Sequence, residues 1–160
     1  MSASSTERGF TMVELIIVMI LVGVMAAYAV PKFAAMTNLS QDAWRDQVKS
    51  ALRYAQKAAV SHRRLVCVDI SGATITLQIA SVNGATSCNT PLDGPGNAGS
   101  FGGSPPAGMS TAVTPSGTIY FQPDGRATLM NSGIHTTSGR TVSMTGVLPL
   151  QLFGETGYVQ

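Results

Sequence analysis

Residues 15–30 read LIIVMILVGVMAAYAV, sixteen positions in a row without a charge. With FTMVE in front, the apolar span reaches 21 residues and carries one charge, Glu14. At 1.5 Å per residue a helix of that length covers about 31 Å, close to one hydrocarbon core. The nine residues before it, MSASSTERG, are polar with one arginine and fit the n-region of a signal peptide. The apolar run is long for a cleaved signal, and it continues Ala-Val-Pro-Lys-Phe-Ala-Ala-Met with no small-x-small site before a globular start. A retained membrane helix is the expectation. Arg8 on the short side leaves the N-terminus cytoplasmic and the residues beyond Lys32 outside.

Composition narrows the function. Of 160 residues 44% are hydrophobic and only 11% charged, against about 25% charged in an ordinary soluble domain. Ten basic residues against eight acidic ones give a net charge of +2, too little for a surface that tracks phosphates, so nucleic acid is not an expected partner.

Glu14 needs a reason. A carboxylate inside an apolar helix is costly unless it is paired, and no Lys or Arg lies one turn away within the run. A cut after Gly9 would make Phe10 the new N-terminus and put an amine at the start of the same helix. A neighbouring chain's amine could then meet the carboxylate. The string Gly9-Phe10-Thr11-Met12-Val13-Glu14-Leu15, behind a polar leader and before a long apolar run, resembles the processing signal of type IV pilins and type II secretion pseudopilins. The resemblance implies cleavage by a prepilin peptidase between Gly9 and Phe10, N-methylation of Phe10, and an assembly role for Glu14.

Beyond Pro31, which would bend or loosen a helix, apolar residues recur every three or four positions: Phe33, Met36, Leu39, Ala43/Trp44, Val48, Ala51/Leu52, Ala55 and Ala58/Ala59. That spacing predicts a helix with one apolar stripe, ending near His62-Arg63-Arg64, a basic last turn that suits the macrodipole. Residues 10–62 would form one rod of roughly 80 Å, and its second half needs a sheet to lie on. The remainder reads as strands. Leu65–Ile70 and Ala73–Ile79 form a hairpin across Ser71-Gly72, and Ile119–Phe121 and Ala127–Leu129 form another across Pro123-Asp124-Gly125. Thr141–Met144 could pair with Val147-Leu148, and Leu150–Phe153 and Thr156–Val159 close the chain. Residues 81–110, rich in Gly and Pro, read as a long loop with few anchors. The order argues for an α+β fold, a long N-terminal helix on an antiparallel β-rich domain. The expected divisions are a leader at 1–9, a membrane and assembly helix at 10–30, its amphipathic continuation at 31–64, and a periplasmic β-rich domain at 65–160.

Phe121-Gln122-Pro123-Asp124-Gly125 and the closing Gly157-Tyr158-Val159 are similar to the minor GspH/FimT-type branch of the same family, and the Gly-Glu-Thr-Gly-Tyr-Val ending resembles pilins of the mannose-sensitive haemagglutinin system. Major pilins usually carry their bridge near the C-terminus. Here Cys67 and Cys88 both lie early in the β-region. Outside the cytoplasm that pair is expected to oxidise; two free buried thiols is the alternative.

No catalytic constellation is visible. His62 and His135 are far apart, Asp69, Asp93 and Asp124 read as turn or hairpin residues, and two cysteines make a poor zinc site. Gly94-Pro95-Gly96-Asn97-Ala98-Gly99 satisfies a dinucleotide-binding string literally but opens no helix. No cofactor or metal is expected. The resemblance implies a non-enzymatic minor subunit of a type IV pilus or a type II secretion pseudopilus that primes or caps the filament. It sits in the inner membrane with a periplasmic domain, and it works with other pilins, a prepilin peptidase, an inner-membrane platform, an assembly ATPase and membrane lipid. The alternatives are a DNA-binding minor pilin, for which Arg126 and Arg140 are the basic residues after Arg64, and a membrane-anchored enzyme.

Overall fold

The computed structural model describes residues 10–72, 74–94, 101–131 and 139–160, with the backbone alone at 30, 31 and 33–38. The leader 1–9 with Gly9, the Gly-rich string at 95–99, His135 and the side chains of Pro31, Phe33 and Met36 lie outside that description. One helix, α1, spans Met12–His62, unbroken at Gly23 and Pro31. Among the described residues eight strands follow: β1 Val66–Ser71, β2 Thr74–Ile79, β3 Thr90–Pro91, β4 Thr111–Thr114, β5 Ile119–Phe121, β6 Ala127–Thr128, β7 Arg140–Met144 and β8 Leu150–Leu152. The chain divides into two units between Thr37 and Asn38.

In the first unit, every described side chain from Phe10 to Ala29 is exposed, and Met12–Ala29 is long and apolar enough to cross a membrane.

In the second unit the apolar stripe is the core. Trp44, Val48, Ala51, Leu52, Ala55 and Ala59 are buried against Val66, Val68, Ile75, Leu77, Ile119 and Phe121 of one sheet and Val142 and Leu150 of another. The stripe is shorter than its spacing suggests: Leu39 and Ala43 are exposed, and burial begins at Trp44, whose indole Nε1 donates to Thr111 Oγ1 at 3.0 Å. The strands form a five-stranded antiparallel sheet, in the order β3-β2-β1-β5-β6, and a three-stranded one, in the order β4-β7-β8. In β2 alternate residues Ile75, Leu77 and Ile79 are buried, the period of a half-buried strand.

Two expectations are corrected and one strand is added. Val147-Leu148 is not the partner of β7. Leu148 is exposed, and β8 takes that place with Val142 opposite Leu150 and Arg140 opposite Leu152, the register that turns both leucines inward. Strand β4 lies just beyond the expected 81–110 loop, in a stretch to which no element was assigned; Thr111-Ala112-Val113-Thr114 carries the β-branched signal. The 81–110 segment is better anchored than its composition suggests. Thr90–Pro91 adds an edge strand, where Pro is tolerated. Leu92, Phe101 and Met109 are buried, and the amides of Leu92 and Phe101 donate to Leu77 and Ile75.

Gln56 explains why two separate glycine motifs recur in this half. Its Nε2 donates to the carbonyls of Gly125 and Thr156, joining the Phe121–Gly125 turn to the closing Gly157-Tyr158-Val159. Gly157 has φ 64, and a Cβ there would lie 2.1 Å from the Gly125 oxygen, so only glycine fits.

At the end of α1, Arg64 N donates to Ala59 O and Arg63 N to Val60 O, the paired bonds of a Schellman cap. Arg63 occupies the left-handed position, with φ 52, where a side chain is strained. Arg63→Gly is expected to raise stability by roughly 0.5 kcal/mol, the relieved strain less the extra chain entropy of glycine. Urea unfolding of the full chain in detergent measures it.

Candidate assembly and processing site

Helix α1 begins at a local device written in the sequence. Thr11 precedes the first helical residue; its Oγ1 accepts from the Glu14 amide at 3.3 Å, and its carbonyl accepts from Leu15 N at 3.2 Å. Thr11-Met12-Val13-Glu14 is the Ser/Thr-x-x-Glu order of a capping box. Glu14 is thus the acidic residue of the first turn, where the positive end of the helix dipole favours a carboxylate. Within the described residues its side chain has no partner. Phe10, just before the cap, is 78% exposed. The structure therefore brings Phe10 and Glu14 to one helix end, four residues apart. Gly9 is outside the described residues.

Cys67 and Cys88 are joined by a disulfide with a sequence separation of 21. Cys67 lies between Val66 and Val68 in β1 and so turns to the opposite sheet face, among Leu65, Ala80 and Tyr120. The bridge ties the start of the 81–110 segment to the centre of the large sheet. Loop-closure entropy for such a ring is about 3 kcal/mol. Cys67→Ser with Cys88→Ser is expected to lower stability by about that amount, read by denaturant unfolding of oxidised parent and variant side by side.

Of the two basic residues in the described β-half, Arg140 is buried and Arg126 is exposed but paired. Arg140 is 2% exposed. Its Nη1 donates to the carbonyls of Pro115 and Gly117, and its Nη2 to Thr118. Burial pushes its pKa below the ordinary arginine value, against a smaller opposite effect of Tyr120. Arg126 is paired with Asp124, Nη2 to Oδ2 at 2.6 Å, inside the β5–β6 turn. Among the described residues no group of three His, Cys, Asp or Glu could hold a metal ion.

Known proteins share both this helix start and the fold. Residues 4–30 match the prokaryotic N-terminal methylation motif. A 52-residue stretch, 32% of the chain, is 38% identical to the type IV narrow pilus major component PilA5 of Thermus thermophilus. The chain spans less than half of that relative's length, 45%. The fold resembles the crystal structure of the type IV minor pilin FimU of Pseudomonas aeruginosa PAO1, with a TM-score of 0.57 over 75% of this chain and 86% of that one, at 17% identity. A methylation motif at the capped apolar helix, a 52-residue likeness to a pilin and the fold of a minor pilin are what this chain shares with known proteins.

Proposed function

We propose that the chain is a structural minor subunit of a type IV pilus or a type II secretion pseudopilus, one that primes or caps the filament. In this reading the chain is non-enzymatic, and the helix Met12–Ala29, long and apolar enough to cross a membrane, anchors it as a single-pass inner-membrane protein. The observation that carries the reading is that helix: an eighteen-residue span, apolar but for Glu14, none of it buried within the chain, opened by Thr11 and carrying that one carboxylate in the first turn. A surface of that kind stays covered when it passes from lipid into a bundle of similar helices, so assembly need not expose it to water.

In this reading a prepilin peptidase cuts between Gly9 and Phe10, Phe10 is N-methylated, and Glu14 sets register by meeting a neighbour's N-terminal amine. The 1–9 leader is lost, 10–30 is the assembly stem, 31–64 links it to the periplasmic β-domain 65–160, and the partners are other pilins, an inner-membrane platform and its ATPase. The minor role is favoured by the likeness to FimU over 75% of this chain; the similarity to PilA5, a major component, covers 52 residues. Burial of Arg140 among the 115–118 carbonyls and the pairing of Arg126 with Asp124 weaken the reason for a DNA-binding role.

N-terminal sequencing and mass measurement of the mature protein are expected to give N-methylated Phe10 as the first residue. A start beyond Ala29 with a product soluble by itself would overturn the reading. Quantitative mass spectrometry of sheared filaments is expected to find this chain far below the major subunit.

A further inference from the structure

The outward face of α1 carries charge that the chain itself does not use. Lys49, Arg53 and Lys57 follow at four-residue spacing and so stand one above the next, opposite the buried Val48, Ala51, Leu52 and Ala55. Arg53 and Lys57 are exposed and Lys49 is half-buried. Like charges at this spacing repel and weaken a helix, and little in the chain offsets them. The ion pair on this part of α1 is Arg45 with Asp46 at 3.9 Å. Among the described residues neither Lys49 nor Lys57 has a hydrogen-bond or ion-pair partner. Arg53 gives one nitrogen to the Val159 carbonyl and lies over the Tyr158 ring, which fixes the guanidinium between the two free ammonium groups. A groove of about 560 Å³ follows the row beside Tyr54 and Phe101.

We propose that this row docks an unlike pilin-type subunit that presents a cluster of carboxylates. The inference rests on the subunit reading and names the chemistry of one of its partners. Charge complementarity selects the partner class. A second copy of this chain is a poor complement. Beyond residue 9 the chain has seven acids. Glu14 is in the apolar helix, Asp124 is held by Arg126 and Glu155 is already engaged. Asp69 lies in β1 and Asp93 follows β3, so neither forms a cluster. Asp42 and Asp46 precede the row on its own helix face, and a copy displaced by one turn would set its own Lys49 and Arg53 level with Arg53 and Lys57, like to like. Nucleic acid is disfavoured because three cations stand here without support from Arg126 or Arg140.

The test places a photoreactive residue at Ser50, which is exposed between Lys49 and Arg53, in the full chain in its own cells. The expected product is a crosslink to a different pilin-type subunit, through a peptide carrying two or more Asp or Glu. Lys49→Glu with Arg53→Glu and Lys57→Glu is expected to lower its yield about tenfold or more, and Lys49→Arg with Lys57→Arg to preserve it. If the triple variant fails to accumulate in membranes with its Cys67–Cys88 bridge, Lys49→Gln with Lys57→Gln takes its place and is expected to lower the yield in the same direction. A crosslink to a second copy, to DNA or to phospholipid, a yield insensitive to these charges, or no crosslink overturns the proposal. A chain that never enters filaments refutes the subunit reading; one that enters them with a charge-insensitive crosslink refutes this inference alone.

Discussion

Glu14→Ala is expected to leave a folded, membrane-inserted chain that is missing from filaments. Two roles converge on this carboxylate, and they differ in size. As the acidic residue of the first turn, behind the Thr11 cap, it supports the helix start by roughly 0.5 kcal/mol, too little to unfold a helix held by lipid along Met12–Ala29. As a charge in an apolar surrounding it costs up to about 3 kcal/mol when unpaired. That penalty is relieved only where a neighbour supplies a cation, so it separates the docked position from every other by a factor of about 100. Glu14→Gln distinguishes the roles, because glutamine retains the capping-box geometry and loses the charge. If charge pairing sets register, Gln fails in assembly as Ala does. If the cap alone matters, Gln assembles like the parent and Thr11→Ala fails. The measurement is the amount of the chain in sheared filaments relative to membranes, with membrane levels and the Cys67–Cys88 bridge as checks on folding.

Much of this was legible in the residues because the signals are local and periodic. The helix from Met12 to His62, the hairpins β1–β2 and β5–β6 and the inward face of β2 all follow from spacing and turn chemistry that act within a few residues. The capping box at Thr11–Glu14 was equally local, and T-x-x-E before an apolar run is the signal that would have disclosed it. What spacing could not supply were choices made across the fold. Leu39 and Ala43 fit the helical stripe, yet no strand covers them, so they remain exposed. Leu150 rather than Leu148 pairs with Val142 because the inward register of β7 decides it, not the hydrophobicity of either residue. The basic row at Lys49, Arg53 and Lys57 reads in sequence as part of a mixed surface with Asp42 and Asp46. Only side-chain placement shows Arg45 turned to Asp46 and to the Leu148 carbonyl, leaving the two lysines without partners.

Arg140 is the clearest case of a residue whose type misdirects. In sequence it is a cation available to DNA; in the fold it is a clamp. It opens β7 in the three-stranded sheet, while residues 115–118, whose carbonyls it holds, cross from β4 in that sheet to β5 in the other. A crossing segment has no ladder of its own to satisfy its carbonyls, and one guanidinium supplies three donors from a planar fork. Hydrogen bonds to a charged group contribute about 1.5–3 kcal/mol each. Recovered hydration of the freed carbonyls and the desolvation already imposed on Arg140, whose Nε is buried without a partner, reduce that sum. Arg140→Met, which keeps the aliphatic volume and removes the donors, is expected to cost about 4 kcal/mol, read as a shift in the urea midpoint of the full chain in detergent. Arg140→Lys is expected to recover only a minor part, since one ammonium cannot span three carbonyls aligned for a fork. A near-parental midpoint for the Met variant would show that water satisfies the 115–118 carbonyls unaided, and the junction between the two sheets would then rest on apolar packing alone.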